Sequence, residues 1–237
     1  MIPPSCAIDF DRFEALTFDC YGTLIDWETG ILHSLRPLLE RRGKKIDDAE
    51  ILKLYGELEA VNEAGEYRRY REVLESVVKG MAERFGSAAT AEEARSLPDS
   101  LGQWQPWPDT VNALRSLQAR FRLCVISNID DDLFAATLPK LGARFDHVIT
   151  AEQARAYKPS LKIFNLAFER ISVPASRILH VGQSVYHDIV PARSLGLSTV
   201  WVDRPSRRKG VGAVQPAQAT PDLRVSSLAE LVSVSQA

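Results

Sequence analysis

Ala15-Leu16-Thr17-Phe18-Asp19-Cys20-Tyr21-Gly22-Thr23 is the stretch whose reading decides the fold. Its first four residues form a short, mostly apolar run that stops at an acid and a glycine-containing turn, the pattern of a buried strand opening into a loop. The same pattern returns three times: Leu123-Cys124-Val125-Ile126 runs into Ser127-Asn128, Ile178-Leu179-His180-Val181 into Gly182-Gln183-Ser184, and Ser198-Thr199-Val200-Trp201-Val202 into Asp203. Helical periodicity lies between these runs, over Thr110 to Ala119 with Val111, Leu114 and Leu117, and over Leu161 to Ile171 with Ile163, Phe164, Ala167 and Phe168. Alternating strands and helices predict an α/β fold, a parallel sheet with helices on both faces, in which ligands sit beyond the carboxyl ends of the strands. The polar tips fall at that edge.

Residues 26–100 break the alternation. They carry helical periodicity and no convincing strand, for example Ile51, Leu52, Leu54, Tyr55 and Leu58 behind a helix start at Asp47-Asp48. The expected organisation is a core of residues 1–25 and 101–237 with a helical subdomain, 26–100, inserted into it. Gln103 to Pro108, with Trp104, Pro106, Trp107 and Pro108, reads as the rigid linker that returns the chain to the core.

Bulk properties narrow the function. A chain of 237 residues with 45% hydrophobic content can bury a full core, and a formal charge of −2 from 29 basic and 31 acidic residues gives no electrostatic footprint for nucleic acid. The one dense basic run, Arg204 to Lys209, holds Pro205 and precedes Gly210, so it reads as a solvated loop. Three cysteines, Cys6, Cys20 and Cys124, form no CxxC pair and no even set, which argues against a disulfide framework or zinc site and for a reducing cytoplasm. Met1 to Ala15 lacks the basic-then-apolar form of a signal peptide, and no stretch approaches the ~20 apolar residues of a membrane span.

Asp19 stands where a buried strand meets a turn, placed to attack an electrophile at the sheet edge. A lone acid there commonly only orders its turn. Here it has company: Ser127 and Asn128 end the next strand as donors for an anionic group, Lys158 precedes Pro159 at the start of the Leu161 helix, and Asp188 follows Gln183 where another helix begins. An ammonium near Asp19 would keep that carboxylate ionised and help neutralise substrate charge. Cys20 should point away from the face used by Asp19 and pack in the core. His187 is a weaker candidate for a general base. Trp27, Trp104 and Trp107 are expected to pack the insertion against the core more than to line a pocket.

In their order and placement, Phe18-Asp19-Cys20-Tyr21-Gly22-Thr23-Leu24, Ile126-Ser127-Asn128, Lys158-Pro159 and Val181-Gly182-Gln183 through Asp188 resemble the four motifs of the haloacid dehalogenase superfamily, most closely its type II 2-haloacid dehalogenases. The resemblance implies a Rossmann-like core, a helical cap inserted after the first motif, and a covalent aspartyl intermediate on Asp19, with Lys158 and Asp188 completing the catalytic set. It puts Tyr21, Thr23, Ser127, Asn128, Gln183 and Ser184 around the substrate.

Phosphatases of this superfamily carry a second Asp two residues after the nucleophile, to protonate the leaving alkoxide; this chain has Tyr21, a weak donor at neutral pH. Halide leaves unprotonated. Gln183 likewise replaces an acid of the magnesium-binding pair, so no cofactor is expected, and Mg2+ enters only if the protein is a phosphatase of a small phosphorylated metabolite. The expected function is dehalogenation of a small anionic 2-haloacid; the alternatives are that phosphatase and a non-catalytic binding protein. The resemblance also implies a cap arginine some way beyond the nucleophile, near whose spacing this chain has Glu50, which leaves Arg68, Arg69 and Arg71 as substitutes, unless they form a solvated basic face. A homodimer through the cap is compatible with the class.

Overall fold

The computed structural model describes residues 8–206 and 213–236. Cys6 and most of the basic run, from Arg207 to Lys209, lie outside them. Six strands, β1 (Ala15–Phe18), β2 (Arg122–Ser127), β3 (His147–Thr150), β4 (Ile178–Gly182), β5 (Ser198–Val202) and β6 (Leu223–Val225), form one sheet in the order β3-β2-β1-β4-β5-β6. Every pairing is parallel. Every residue of β1 is buried, as is every residue of β4, which explains why these strands read as apolar runs without alternation. The expected parallel α/β sheet is present, with two strands more than the apolar runs predicted. β3 and β6 are short edge strands whose residues are only partly buried, so neither carries such a run.

Register sets the site. Phe18 lies opposite Val125 on β2 and Val181 on β4, so Asp19, Ser127 and Gly182 emerge together at one sheet edge. Asp19 N continues the ladder by donating to Val181 O (3.0 Å).

Four helices lie between β1 and β2: α1 (Trp27–Arg41), α2 (Asp48–Glu63), α3 (Tyr70–Arg84) and α4 (Ala91–Ser100). Asp47 caps α2 by accepting from Glu50 N, as its sequence predicts, and Thr90 with Glu93 forms a reciprocal capping box on α4. Leu35, Leu52, Val73, Leu74, Val77 and Leu97 are among the side chains fully or almost fully buried in this layer. The outgoing and returning chains pair where they cross: Ile25 bridges Pro106, and Asp26 N donates to Gln105 O (2.9 Å). Trp104 is held flat on α1 by Gly30, at which a Cβ would stand 2.4 Å from the indole.

Six further helices complete the core: α5 (Thr110–Gln118), α6 (Asp131–Thr137), α7 (Ala151–Ala154), α8 (Leu161–Ile171), α9 (Val190–Ser194) and α10 (Leu228–Ser235). α5 packs on β2 and α10, α8 on β2 and β3, and α9 on β5. Asp188 does not open an α-helix as the sequence suggested; it sits in a π-helical turn, Val185–Ile189, that leads into α9. Such turns favour functional sites because the extra residue redirects a side chain.

Candidate active site

Asp19 is 7% exposed, and both its oxygens are engaged. Lys158 Nζ donates to Oδ1 (2.8 Å) and Thr23 Oγ1 donates to Oδ2 (2.6 Å). The Lys158 ammonium, 2% exposed, also donates to Asp188 Oδ1 (2.6 Å) and Ile126 O (3.0 Å), which accounts for its three protons. Burial pulls the Lys158 pKa down, but the Asp188 and Asp19 carboxylates outweigh it and hold the ammonium well above its ordinary value. Burial works against ionised Asp188, yet Lys158 and His180 keep it well below the usual carboxylate range. For Asp19, burial and the Asp188 charge push the pKa up and Lys158 and Thr23 pull it back, leaving it raised. Two carboxylates thus face one ammonium.

Asp188 has its own supports. His180 Nε2 lies 3.3 Å from Oδ1, while its Nδ1 meets Thr17 Oγ1 at 2.9 Å across the β1–β4 ladder, and Ser184 N donates to Oδ2 (3.2 Å). Gly182 permits the approach, since a Cβ there would stand 2.5 Å from the Asp188 side chain.

The predicted site residues divide into two groups. Asp19, Tyr21, Ser127, Asn128, Lys158, Ser184 and Asp188 all line one cavity of about 40 Å3. Thr23 and Gln183 do not. Thr23 is fully buried and clamps Asp19 while accepting from Gln183 N (2.9 Å), and the Gln183 side chain lies against Gly22. Asn128 lines the cavity, but its amide donates to Lys158 O (3.2 Å) and accepts from Lys158 N (2.7 Å), so it holds the lysine loop. Ser127 Oγ differs from all of these: it is buried and has no hydrogen-bond partner among the described residues, so it is left for a ligand. Cys20 is buried in the core as expected. The Tyr21 hydroxyl pairs with Thr137 Oγ1 at 2.8 Å, and burial pushes its pKa well up.

The helical layer supplies the opposite wall with Trp27, Glu59, Glu63 and Tyr70. Trp27 also packs edge-on against Tyr55, so it serves both roles considered for it, whereas neither Trp104 nor Trp107 lines this cavity. None of the three candidate arginines reaches the cavity: Arg68 donates to Asn62, Arg69 pairs with Asp132 and Glu152, and Arg71 pairs with Asp99 and Asp132. They are neither a carboxylate anchor nor a merely solvated face. Glu59 accepts from the hydroxyls of Tyr55 and Tyr70, and burial lifts its pKa to about 7. Glu59, Glu63 and Tyr70 escaped sequence reasoning because acids four residues apart on a helix look like a solvated stripe. His187 lines the cavity too; burial lowers its pKa to about 4, so it is neutral near pH 7.

A divalent cation fits this donor set poorly. Asp188 presents both oxygens to protein donors, residue 183 is an amide placed away from the cavity, and among the described residues no three His, Cys, Asp or Glu side chains are grouped to hold a metal.

A parallel sheet with an ion-paired aspartate at the tip of an inner strand, roofed by an inserted helical layer, defines the class of aspartate-centred α/β hydrolases. The chain belongs to the haloacid dehalogenase-like hydrolases, whose family profile matches residues 13–196. It is 24% identical over 227 residues to an (S)-2-haloacid dehalogenase of Pseudomonas sp. (strain YL), covering 94% of this chain and 95% of that one. To (S)-2-haloacid dehalogenase H-109 of Pseudomonas putida it is 27% identical over 222 residues, with 92% and 96% covered. Its fold matches that of the L-2-haloacid dehalogenase from Xanthobacter autotrophicus with a TM-score of 0.79 at 20% identity, over 94% of this chain and 98% of that chain.

Proposed function

We propose that this protein removes halide from small 2-haloacids through an ester formed on Asp19. The observation that carries this reading is the pairing of a braced carboxylate with a residue 21 unable to act as an acid. Tyr21 is a phenol whose hydroxyl is bonded to Thr137, and an alkoxide or phosphate-ester leaving group would find no proton there. Halide needs none.

In the proposed reaction an Asp19 oxygen attacks the substrate α-carbon, and the carbon–halogen bond breaks with its electron pair leaving on halide. Water then attacks the Asp19 carbonyl carbon, releasing a 2-hydroxyacid and a carboxylate that keeps one oxygen from water. Lys158 and Thr23 hold the nucleophile in line, and Asp188 fixes Lys158. The proton of that water passes to the departing oxygen of the 2-hydroxyacid, and His187, neutral in the same cavity but with a pKa of about 4 a weak base, serves at most to relay it. Ser127 Oγ donates to the substrate carboxylate. Residues 26–100 serve as the cap that shuts bulk water out of the small cavity. Among the described residues no helix is long and apolar enough to cross a membrane, and the buried free thiols of Cys20 and Cys124 suit a reducing cytoplasm.

The test is halide release from a panel of 2-chloro- and 2-bromoacids with and without chelator. Halide release that chelator leaves unchanged is expected. Phosphate release from phosphorylated metabolites that requires magnesium, with no halide from any haloacid, would overturn the reading in favour of a phosphatase.

A further inference from the structure

Among the described residues the helical wall of the cavity carries no cation; it carries the acids Glu59 and Glu63. Glu63 ends α2, is half-buried, and accepts no hydrogen bond from any described residue. It belongs to two spaces at once: the 40 Å3 cavity beside Asp19 and an outer chamber of about 470 Å3, which share Glu63, Lys158 and His187. The outer chamber carries Arg155 and Lys162 in its wall, so an anion is drawn toward this neck.

Of the groups around Glu63, Arg155 and Lys162 in the outer chamber favour its charge, Arg155 from over the Tyr67 ring; the described groups at the neck itself disfavour that charge or are already committed. Glu59 lies one turn back on α2 and Glu66 follows in the loop beyond its end, both acids. Tyr70 on α3, and Tyr67 and Tyr157 around the outer chamber, are neutral phenols. Among the described residues Lys158 is the one cation at the neck, and its protons go to Asp19, Asp188 and Ile126 O. His187 is neutral. Burial and Glu59 push the Glu63 pKa well up against the pull of Lys158. With Asp19 and Asp188 already exceeding Lys158 by one charge, an ionised Glu63 would repel a haloacid and the departing halide alike.

We propose that Glu63 is the specificity-determining residue of the cap: as an uncharged carboxylic acid it donates a hydrogen bond to the carboxylate of the 2-haloacid, whose other side accepts from Ser127 Oγ. A carboxyl–carboxylate hydrogen bond is short and charge-assisted, and it discriminates against neutral haloalkanes without placing a cation in the roof. Ser127 is the independent sign of a ligand here, since a buried hydroxyl without a partner lines the same cavity. The inference rests on the dehalogenase reading, but its test does not need turnover.

The experiment is calorimetric binding of propionate, the unhalogenated carboxylate, to the full chain between pH 5 and pH 10, using wild type, Glu63→Gln and Glu63→Ala. For wild type, Kd should rise about tenfold for each pH unit above the Glu63 pKa. Glu63→Gln, a donor that cannot ionise, should bind as tightly as wild type at low pH and lose that rise. Glu63→Ala should bind about tenfold or more weakly than Glu63→Gln at every pH, with thermal melting confirming the fold. A wild-type and Glu63→Gln pair with the same pH profile, or no propionate binding at all, overturns the proposal. Propionate binding that depends on Glu63 without halide release from any 2-haloacid leaves it standing and sinks the dehalogenase reading instead.

Discussion

Asp19 is both the best-supported and the most burdened side chain in the protein. Its neighbours must keep it ionised while burial and Asp188 favour its protonation, so its pKa stands above the ordinary carboxylate value. Only the ionised form attacks, and kcat/KM is therefore expected to fall as pH drops through a value above about 4. A profile from pH 3.5 to 8 at constant ionic strength tests this; an acid limb at or below the ordinary value would contradict it. Thr23→Val removes the hydroxyl that fixes Asp19 Oδ2 and should cut kcat about tenfold or more with little change in KM, measured on the best haloacid of the panel. These groups were legible because each sits at the tip of an apolar strand or beside a proline, where sequence alone reports position. What sequence could not report was engagement: Thr23 and Asn128 share the polar character of substrate ligands, yet they are occupied by Asp19 and by the Lys158 backbone.

At the level of elements, α2 is where prediction from sequence was right about form and blind to consequence. Its start at Asp47 was readable from capping chemistry, but whether Glu59 and Glu63 meet water or the core depends on how the helix is laid over the sheet. β3 and β6 were missed for a related reason, since an edge strand needs apolar character on few positions. The burial of Glu59 has a thermodynamic signature. Its folded pKa is about 7 against an ordinary 4.5, so between those values the folded state keeps a proton that the unfolded state has lost. Stability from this group is therefore full below pH 4.5 and falls as pH rises to 7, by about 3 kcal/mol in all. Glu59→Gln should remove that part of the slope in denaturant melts across the window; an unchanged slope would show that Glu59 is ionised in the fold.

Over the whole molecule, function depends on holding the helical layer against the strand ends. Asp130, three residues beyond Ser127, accepts from Tyr70 N and Arg71 N (2.9 Å each) and so caps α3 from the core side. Asp130→Ala should cost about 1–2 kcal/mol in thermal or denaturant unfolding and raise KM more than it lowers kcat, because the roof is loosened while Asp19 is untouched. A large fall in kcat at unchanged KM would argue against that role. The proposed chemistry depends on a bond between Asp19 and the substrate carbon. A single turnover with enzyme in excess over 2-chloropropionate in oxygen-18 water, followed by mass spectrometry of the peptide that carries Asp19, tests it directly. One heavy oxygen retained in the Asp19 carboxylate, with none in the lactate formed, is the predicted result. Heavy oxygen in the lactate and an unlabelled Asp19 would mean that water attacks the substrate itself, and the account would be wrong.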